Sequence, residues 1–195
     1  PLMSARMVLL GPPGAGKGTQ AVRISERLSV PAISTGDIFR ANAQGETELG
    51  KRAKQYMDRG EYVPDSVTNA MVKDRLAAED AAQGFLLDGY PRTEAQVHEL
   101  DAMLAEAGLA LDVVLEITAD SEVVVERLLK RATEQNRADD TESVIRRRLE
   151  VYAEQTEPLA SLYEARGLLV RVDGIGDVDE VTERMMAALA ARTTT

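Results

Sequence analysis

The sequence lacks cysteine and tryptophan and has a single histidine. The absence of cysteine excludes disulfide bonds, thiolate metal sites and cysteine nucleophiles. It also suits a reducing compartment, so we expect a cytoplasmic protein. The one histidine, His98, lies between charged residues of a predicted helix, and we assign it no catalytic role.

Positive charge is also scarce, because the chain has 23 Lys and Arg residues but 33 Asp and Glu residues, which gives a net charge of −10. A chain this acidic is not expected to bind nucleic acid or an anionic membrane. Aromatic residues make up only 4% of the chain, which disfavours a stacking surface for single-stranded nucleic acid. No apolar run approaches the roughly 18 residues of a membrane span. Any anion that binds here must therefore be held by local positive charge.

The 195 residues are enough for one globular domain, and short apolar runs alternate with helical patterns along them. This alternation predicts an α/β fold with a parallel sheet covered by helices on both faces. Loops that follow parallel strands meet at one edge of the sheet, where such folds bind ligands. The predicted strands cover about 7–10, 31–33, 85–87, 113–117 and 168–172. The predicted helices cover about 17–28, 37–44, 47–58, 66–78, 93–107, 120–130, 141–165 and 177–191, with an exposed loop over 131–140.

A glycine-rich loop follows the first predicted strand and precedes a helix. Gly11-Pro12-Pro13-Gly14-Ala15-Gly16-Lys17 has the G-x-x-x-x-G-K spacing of a phosphate-binding loop. Glycines let backbone N–H groups wrap a phosphate, the helix N-terminus adds positive potential, and Lys17 can reach the β- and γ-phosphates. Gly18 stands where Ser or Thr is common, and Thr19 supplies the first hydroxyl.

Polar residues follow two further strands. Asp88 ends an apolar strand, where a carboxylate can hold a magnesium-bound water beside a phosphate loop, although it could also be a turn residue. Ser34 and Thr35 could be helix caps and nothing more. Eighteen of the basic residues are arginines, and composition alone does not choose which of them bind phosphate.

Five motifs in order resemble those of the adenylate kinase family, and the resemblance covers nearly the whole chain from Met7 to Ala190. They are GPPGAGKGTQ at 11–20, STGD at 34–37 with Arg40, EYV at 61–63, DGYPR at 88–92 with Gln96, and Arg137-x-Asp139-Asp140 followed by Arg148.

The resemblance implies a five-stranded sheet of the phosphate-loop NTPase type in a single kinase domain. Its core would span about 5–33, 64–130 and 142–192, with an AMP-binding helical segment at about 34–63 and a short lid at about 131–141. It implies magnesium-dependent transfer of the terminal phosphoryl group of ATP to AMP, giving two ADP, in a monomer. Long-lid members often bind zinc through four cysteines, and this chain has none, so it resembles the short-lid form.

The resemblance also implies roles for individual residues. The residues implied in ATP binding are Gly14, Ala15, Gly16, Lys17, Gly18, Thr19, Arg127, Arg131 and Gly176. Those implied in AMP binding are Thr35, Gly36, Arg40, Glu61, Tyr62, Val63, Gly89, Tyr90, Pro91, Arg92, Gln96, Arg137 and Arg148. The implied catalytic residues are Lys17, Arg92, Arg131, Arg137 and Arg148, and Asp88 and Thr19 would contact Mg²⁺ through bound water.

Two alternatives remain open at this point. The related UMP/CMP kinases tend to have Ala at the position of Thr35 and Asn near Thr93, so these threonines favour AMP as the acceptor. A non-catalytic ATP-sensing protein would need the phosphate loop but not the second set of phosphate-binding residues, Arg40, Arg92 and Gln96.

Overall fold

The computed structural model describes residues 5–136 and 141–193. Their strands are β1 Ala5–Leu10, β2 Ala32–Ser34, β3 Gly84–Asp88, β4 Val113–Thr118 and β5 Leu169–Asp173. They form one parallel sheet, as the alternating pattern predicts. The strand order in this sheet is β2-β3-β1-β4-β5.

Eight α-helices surround the sheet in the described residues, and a 3₁₀ turn at Glu79–Ala81 precedes β3. The helices are α1 Lys17–Leu28, α2 Thr35–Gln44, α3 Glu48–Asp58, α4 Asp65–Leu76, α5 Glu94–Glu106, α6 Ser121–Glu134, α7 Glu142–Ala165 and α8 Val178–Thr193.

Alternate residues of β1 enter two separate hydrophobic cores. Val8 packs in the core that contains Tyr163 of α7, whereas Met7 packs in the core that contains Ile24 of α1 and Met185 of α8. Both faces of the sheet are therefore covered, which explains why its strands are apolar at successive positions.

The exposed loop predicted for 131–140 is wrong over its first four residues, because α6 continues to Glu134. Ala132 is only 7% exposed and extends the buried face of this helix. Arg, Ala and Glu are good helix formers, so the low apolar content of this stretch was a misleading signal. Residues 137–140 of the predicted loop lie outside the described residues.

A buried polar link joins α1 to α8. The hydroxyl of Thr182 donates to Oε1 of Gln20 at 2.7 Å, and Nε2 of Gln20 donates to the carbonyl of Val178 at 3.1 Å. Gln20 and Thr182 are 3% and 1% exposed, so water cannot replace either partner. The link fixes the helix of the phosphate loop against α8.

We expect Thr182→Val to lower the free energy of unfolding by about 1–3 kcal/mol, because Oε1 of Gln20 loses its buried donor. Urea denaturation measures the change. Thr133→Val is the matched control, since the Thr133 hydroxyl bonds the Leu129 carbonyl on the exposed side of α6. The control should change stability by less than about 0.5 kcal/mol. Equal effects of the two variants would contradict the role of the link.

No described helix has the length and apolar character of a membrane span.

Candidate functional site

The loops that follow β1, β2 and β3 meet at the carboxyl edge of the sheet, as the sequence predicts. Leu9 and Ser34 both pair with Asp88 in the register, so the three strand ends lie side by side. Nζ of Lys17, at the start of α1, lies 2.8 Å from Oδ1 of Asp88. The phosphate-loop lysine and the carboxylate at the end of β3 therefore form an ion pair.

The phosphate loop adopts a backbone that its glycines make possible. Gly14 and Gly16 have φ angles of 85° and 82°, a region that residues with a Cβ rarely adopt. A Cβ on Gly14 would also lie 2.9 Å from Cγ of Leu128 on α6. The loop is thus shaped by both backbone conformation and contact with α6.

A cavity of about 290 Å³ opens beside this loop, and we call it the Lys17 cavity. Its charged lining consists of Lys17, Arg92 and Arg148, which come from α1, the loop after β3 and α7. Three cations around one small cavity favour a polyanionic ligand. The neighbouring Arg146 and Arg147 do not line this cavity and pair with glutamates, so the three consecutive arginines point in different directions, as expected.

A second cavity of about 450 Å³, which we call the Gln96 cavity, lies between α2, α4 and α5. Thr35, Tyr62, Val63 and Gln96 line it, and the Tyr62 side chain is 99% exposed. An aromatic ring exposed to this extent beside a cavity is available to cover a planar ligand. Tyr90, at the floor, is buried, and this burial raises the pKa of its hydroxyl, which donates to Oδ1 of Asn69 at 2.7 Å.

The two cavities share part of their wall. Gly89, Arg92 and Gln155 line both of them. Nε of Arg92 donates to the carbonyl of Gly89 at 2.9 Å, which orients the guanidinium at this boundary. Gly89 has a φ angle of 87°, and a Cβ there would lie 2.9 Å from Oγ1 of Thr35. Arg92 is therefore placed to contact ligands in both cavities.

The side chain of Gln96 is held at both ends of its amide. Its Oε1 accepts a hydrogen bond from the backbone N–H of Arg92 at 2.8 Å, and its Nε2 donates to Oδ1 of Asp65 at 3.0 Å. Ser34 is the N-cap of α2, accepting from the Asp37 N–H, so the capping interpretation is confirmed for Ser34. Thr35 is the first residue of α2 and lines the cavity instead.

Several residues implied by the resemblance line neither cavity. Arg40 pairs with Asp37, and the hydrogen bond from Arg40 lowers the pKa of that carboxyl group. Arg127 and Arg131 lie on α6 and line neither cavity. The remaining implied residues that are described and line neither cavity are Gly14, Ala15, Gly16, Gly18, Thr19, Gly36, Glu61, Asp88 and Gly176.

The lid residues Arg137, Asp139 and Asp140 lie outside the described residues. Gly176 follows β5 with a φ angle of 126°, and Nη1 of Arg184 donates to the carbonyls of Asp173 and Ile175 beside it. This guanidinium holds the loop between β5 and α8. Among the residues that the structure describes, no cluster of three or more His, Asp or Glu side chains could hold a metal ion by itself.

Sequence reasoning missed Asp65 and Gln155, which line the Gln96 cavity, and Asn69, which accepts from the Tyr90 hydroxyl. Asp65 and Asn69 belong to a stretch in which the pattern indicates only a helix or its start, and Gln155 is one polar residue within the long helix α7. No local signal marks any of them, because their contacts depend on the packing of distant segments.

Comparison with known proteins gives consistent results. A model of the adenylate kinase family matches residues 9–168. An adenylate kinase of Kocuria rhizophila is 67% identical over 184 residues, which cover 94% of this chain and 98% of that protein. An adenylate kinase of Thermobifida fusca is 61% identical, covering 96% of this chain and 99% of that protein.

Proposed function

The chain belongs to the adenylate kinase family and is a phosphotransferase, and we propose that its two cavities hold ATP and AMP during their reversible conversion to two ADP. The observation that carries the proposal is the shared wall between the Lys17 cavity and the Gln96 cavity. Direct transfer needs donor and acceptor phosphates to meet, and we propose that they meet beside Arg92, which lines both cavities.

The Lys17 cavity is proposed to hold the phosphates of ATP. The loop residues Gly14 to Thr19 offer backbone N–H groups at the N-terminus of α1, and Lys17 and Arg148 add charge. Arg127 and Arg131 are proposed to contact the same ligand, and Gly176 to contact its adenine through the backbone.

The Gln96 cavity is proposed to hold AMP. Gln96 would contact the adenine edge, and Tyr62 and Val63 would cover its ring. Thr35 and Arg92 would contact the phosphate side. The other residues proposed for this site are Gly36, Arg40, Glu61, Gly89, Tyr90, Pro91, Arg137 and Arg148.

Catalysis in this arrangement depends on alignment and on neutralising the charge of the transferred phosphoryl group. The acceptor is already a phosphate dianion, so no side chain has to remove a proton from it. His98 is exposed on α5, where its Nε2 lies 3.9 Å from Oε1 of Glu94, and it lines neither cavity. Lys17, Arg92, Arg131, Arg137 and Arg148 are proposed to carry the neutralising charge.

The end of β3 fits a hydrated Mg²⁺ ion. Oδ1 of Asp88 contacts Lys17 as an ion pair, in a geometry that is not an aligned hydrogen bond, so this oxygen retains capacity to accept. Asp88 and Thr19 would hold the ion through bound water. When bound, Mg²⁺ neutralises charge on the ATP phosphates.

We further propose that the kinase is a cytoplasmic monomer with a core of about 5–33, 64–130 and 142–192. Residues 34–63 would form the AMP-binding segment and 131–141 the short lid. Closure of these two parts over the nucleotides would exclude water, which otherwise hydrolyses ATP.

An acceptor screen tests the function. With Mg²⁺ and ATP present, we expect ADP formation from AMP and little from UMP, CMP or GMP. Turnover of a pyrimidine nucleotide would keep the mechanism but make the chain a UMP/CMP kinase. ATP binding without any turnover would instead support a non-catalytic ATP-sensing protein.

A further inference from the structure

We propose that Asp65 is a positioning residue that fixes the orientation of the Gln96 amide and so makes the acceptor site select a 6-amino purine over a 6-oxo purine. The proposal rests on the proposed function of the Gln96 cavity as the acceptor site. Asp65 and Gln96 both line that cavity.

The orientation of the amide follows from the chemistry of its two partners. The backbone N–H of Arg92 can only donate, so it requires the Gln96 oxygen at 2.8 Å. The Asp65 carboxylate accepts, so it requires the Gln96 nitrogen at 3.0 Å. A reversed amide would place a donor against a donor and oxygen against oxygen. Because Gln96 is only 8% exposed, water cannot readily compensate for these losses.

The fixed amide still has one N–H and one oxygen lone pair available to a ligand. A 6-amino purine offers an acceptor nitrogen next to an amino donor, which such an amide can contact with two hydrogen bonds. A 6-oxo purine offers an N–H donor beside an oxygen acceptor. In the same pose, this reversed pattern requires the reversed amide. The choice between the two bases therefore depends on the free energy of amide reversal.

Asp65 and Gln96, which form this hydrogen bond, lie on different helices. Asp65 is the first residue of α4, where a carboxylate is also favoured by the helix dipole, whereas Gln96 lies in the first turn of α5. The bond from the Arg92 N–H to Gln96 resembles a capping interaction and needs no ligand to explain it. The hydrogen bond from Gln96 to Asp65 is not part of that cap. It holds the nitrogen of the Gln96 amide on the side of Asp65.

Two substitutions test whether Asp65 orients the Gln96 amide because it can only accept. Asp65→Ala removes the oxygen that accepts from Gln96, whereas Asp65→Asn introduces an amide that can accept from the Gln96 nitrogen or donate to the Gln96 oxygen. The measurement is kcat/KM with AMP and with inosine monophosphate, its 6-oxo analogue, at saturating ATP. We expect Asp65→Ala to lower the AMP preference by about five- to tenfold, the worth of one hydrogen bond. Asp65→Asn should also lower the preference, because its amide tolerates either orientation of Gln96, and the KM for ATP should stay unchanged in both variants.

Asp65→Ser provides a second variant, since its side chain is too short to reach Gln96, and it should behave like Asp65→Ala. An unchanged preference in Asp65→Ala and Asp65→Ser would overturn the proposal. A full AMP preference in Asp65→Asn would also overturn it, because it would show that the acceptor-only chemistry of the carboxylate does not orient the amide. If the wild-type protein converts AMP, either of these results overturns only the role of Asp65 and does not contradict the proposed function. A wild-type protein that converts neither nucleotide would overturn both.

Discussion

Lys17→Met is expected to lower kcat by about 100- to 1,000-fold, the range measured when a single preorganised electrostatic contact is removed from an active site. Lys17 lines the Lys17 cavity but not the Gln96 cavity. Its charge would contact the phosphoryl group during transfer, so its loss should affect the transition state more than AMP binding. The KM for AMP should change by less than about threefold, and steady-state kinetics at varied AMP measures both parameters.

The same substitution leaves Asp88 without its ion-pair partner, so its effect on folding must be measured separately. Thermal unfolding of the variant provides that measurement. Lys73→Met is the matched control, because Lys73 forms an exposed ion pair with Glu106. This substitution should lower the free energy of unfolding by less than about 1 kcal/mol. Equal losses in kcat and in AMP affinity would contradict the proposed role of Lys17.

Arg92→Met is expected to affect both substrates. Arg92 lines both cavities and is oriented by the Gly89 carbonyl, so it can contact the acceptor phosphate and the transferred group together. We expect kcat to fall by about 100- to 1,000-fold and AMP to bind more weakly. Arg92→Lys should restore little activity, since an ammonium group is a point charge and cannot make paired hydrogen bonds in a fixed plane.

Steady-state kinetics at varied AMP and a direct measurement of AMP affinity check the expected effect of Arg92→Met. Arg27→Met is the matched control, because Arg27 pairs with Glu183 on the exposed side of α1 and lines neither cavity. Near wild-type activity of Arg92→Lys would contradict the role of paired hydrogen bonds, because it would show that a positive charge at this position is enough for catalysis. Unchanged AMP affinity in Arg92→Met would place this residue on the donor side only.

The sheet and the phosphate loop were predictable because their signals are local. Apolar runs such as Phe85-Leu86-Leu87 mark buried strands, and the glycines before Lys17 mark a loop whose backbone needs positive φ angles. The end of α6 was harder, because Arg131–Glu134 has little apolar content and still forms a helix. Its helix propensity favours that outcome, and the buried Ala132 packs the extra turn against the rest of the protein.

The choice among the arginines could not be made from sequence without the family resemblance. Arg146 and Arg148 are neighbours of the same type, yet Arg146 pairs with Glu122 and Glu142 while Arg148 lines the Lys17 cavity. Glu142 lies one turn before Arg146 on α7, but Glu122 lies on α6, and no local pattern reports a contact between two helices. The bond between Gln96 and Asp65 was hidden for the same reason, because it joins two helices that are separated in the chain.

The strand order has a consequence for how the protein is made. β1 leaves the ribosome before the other described strands, but its two neighbours in the sheet are β3 and β4, which end at Asp88 and Thr118. The phosphate loop directly follows β1, so its support on both sides does not exist until well over half of the chain has been synthesised. Non-local pairing of this kind slows folding and exposes unpaired strand edges in the meantime. A nascent chain that stops short of β4 should therefore be a substrate for chaperones long before it can bind a nucleotide.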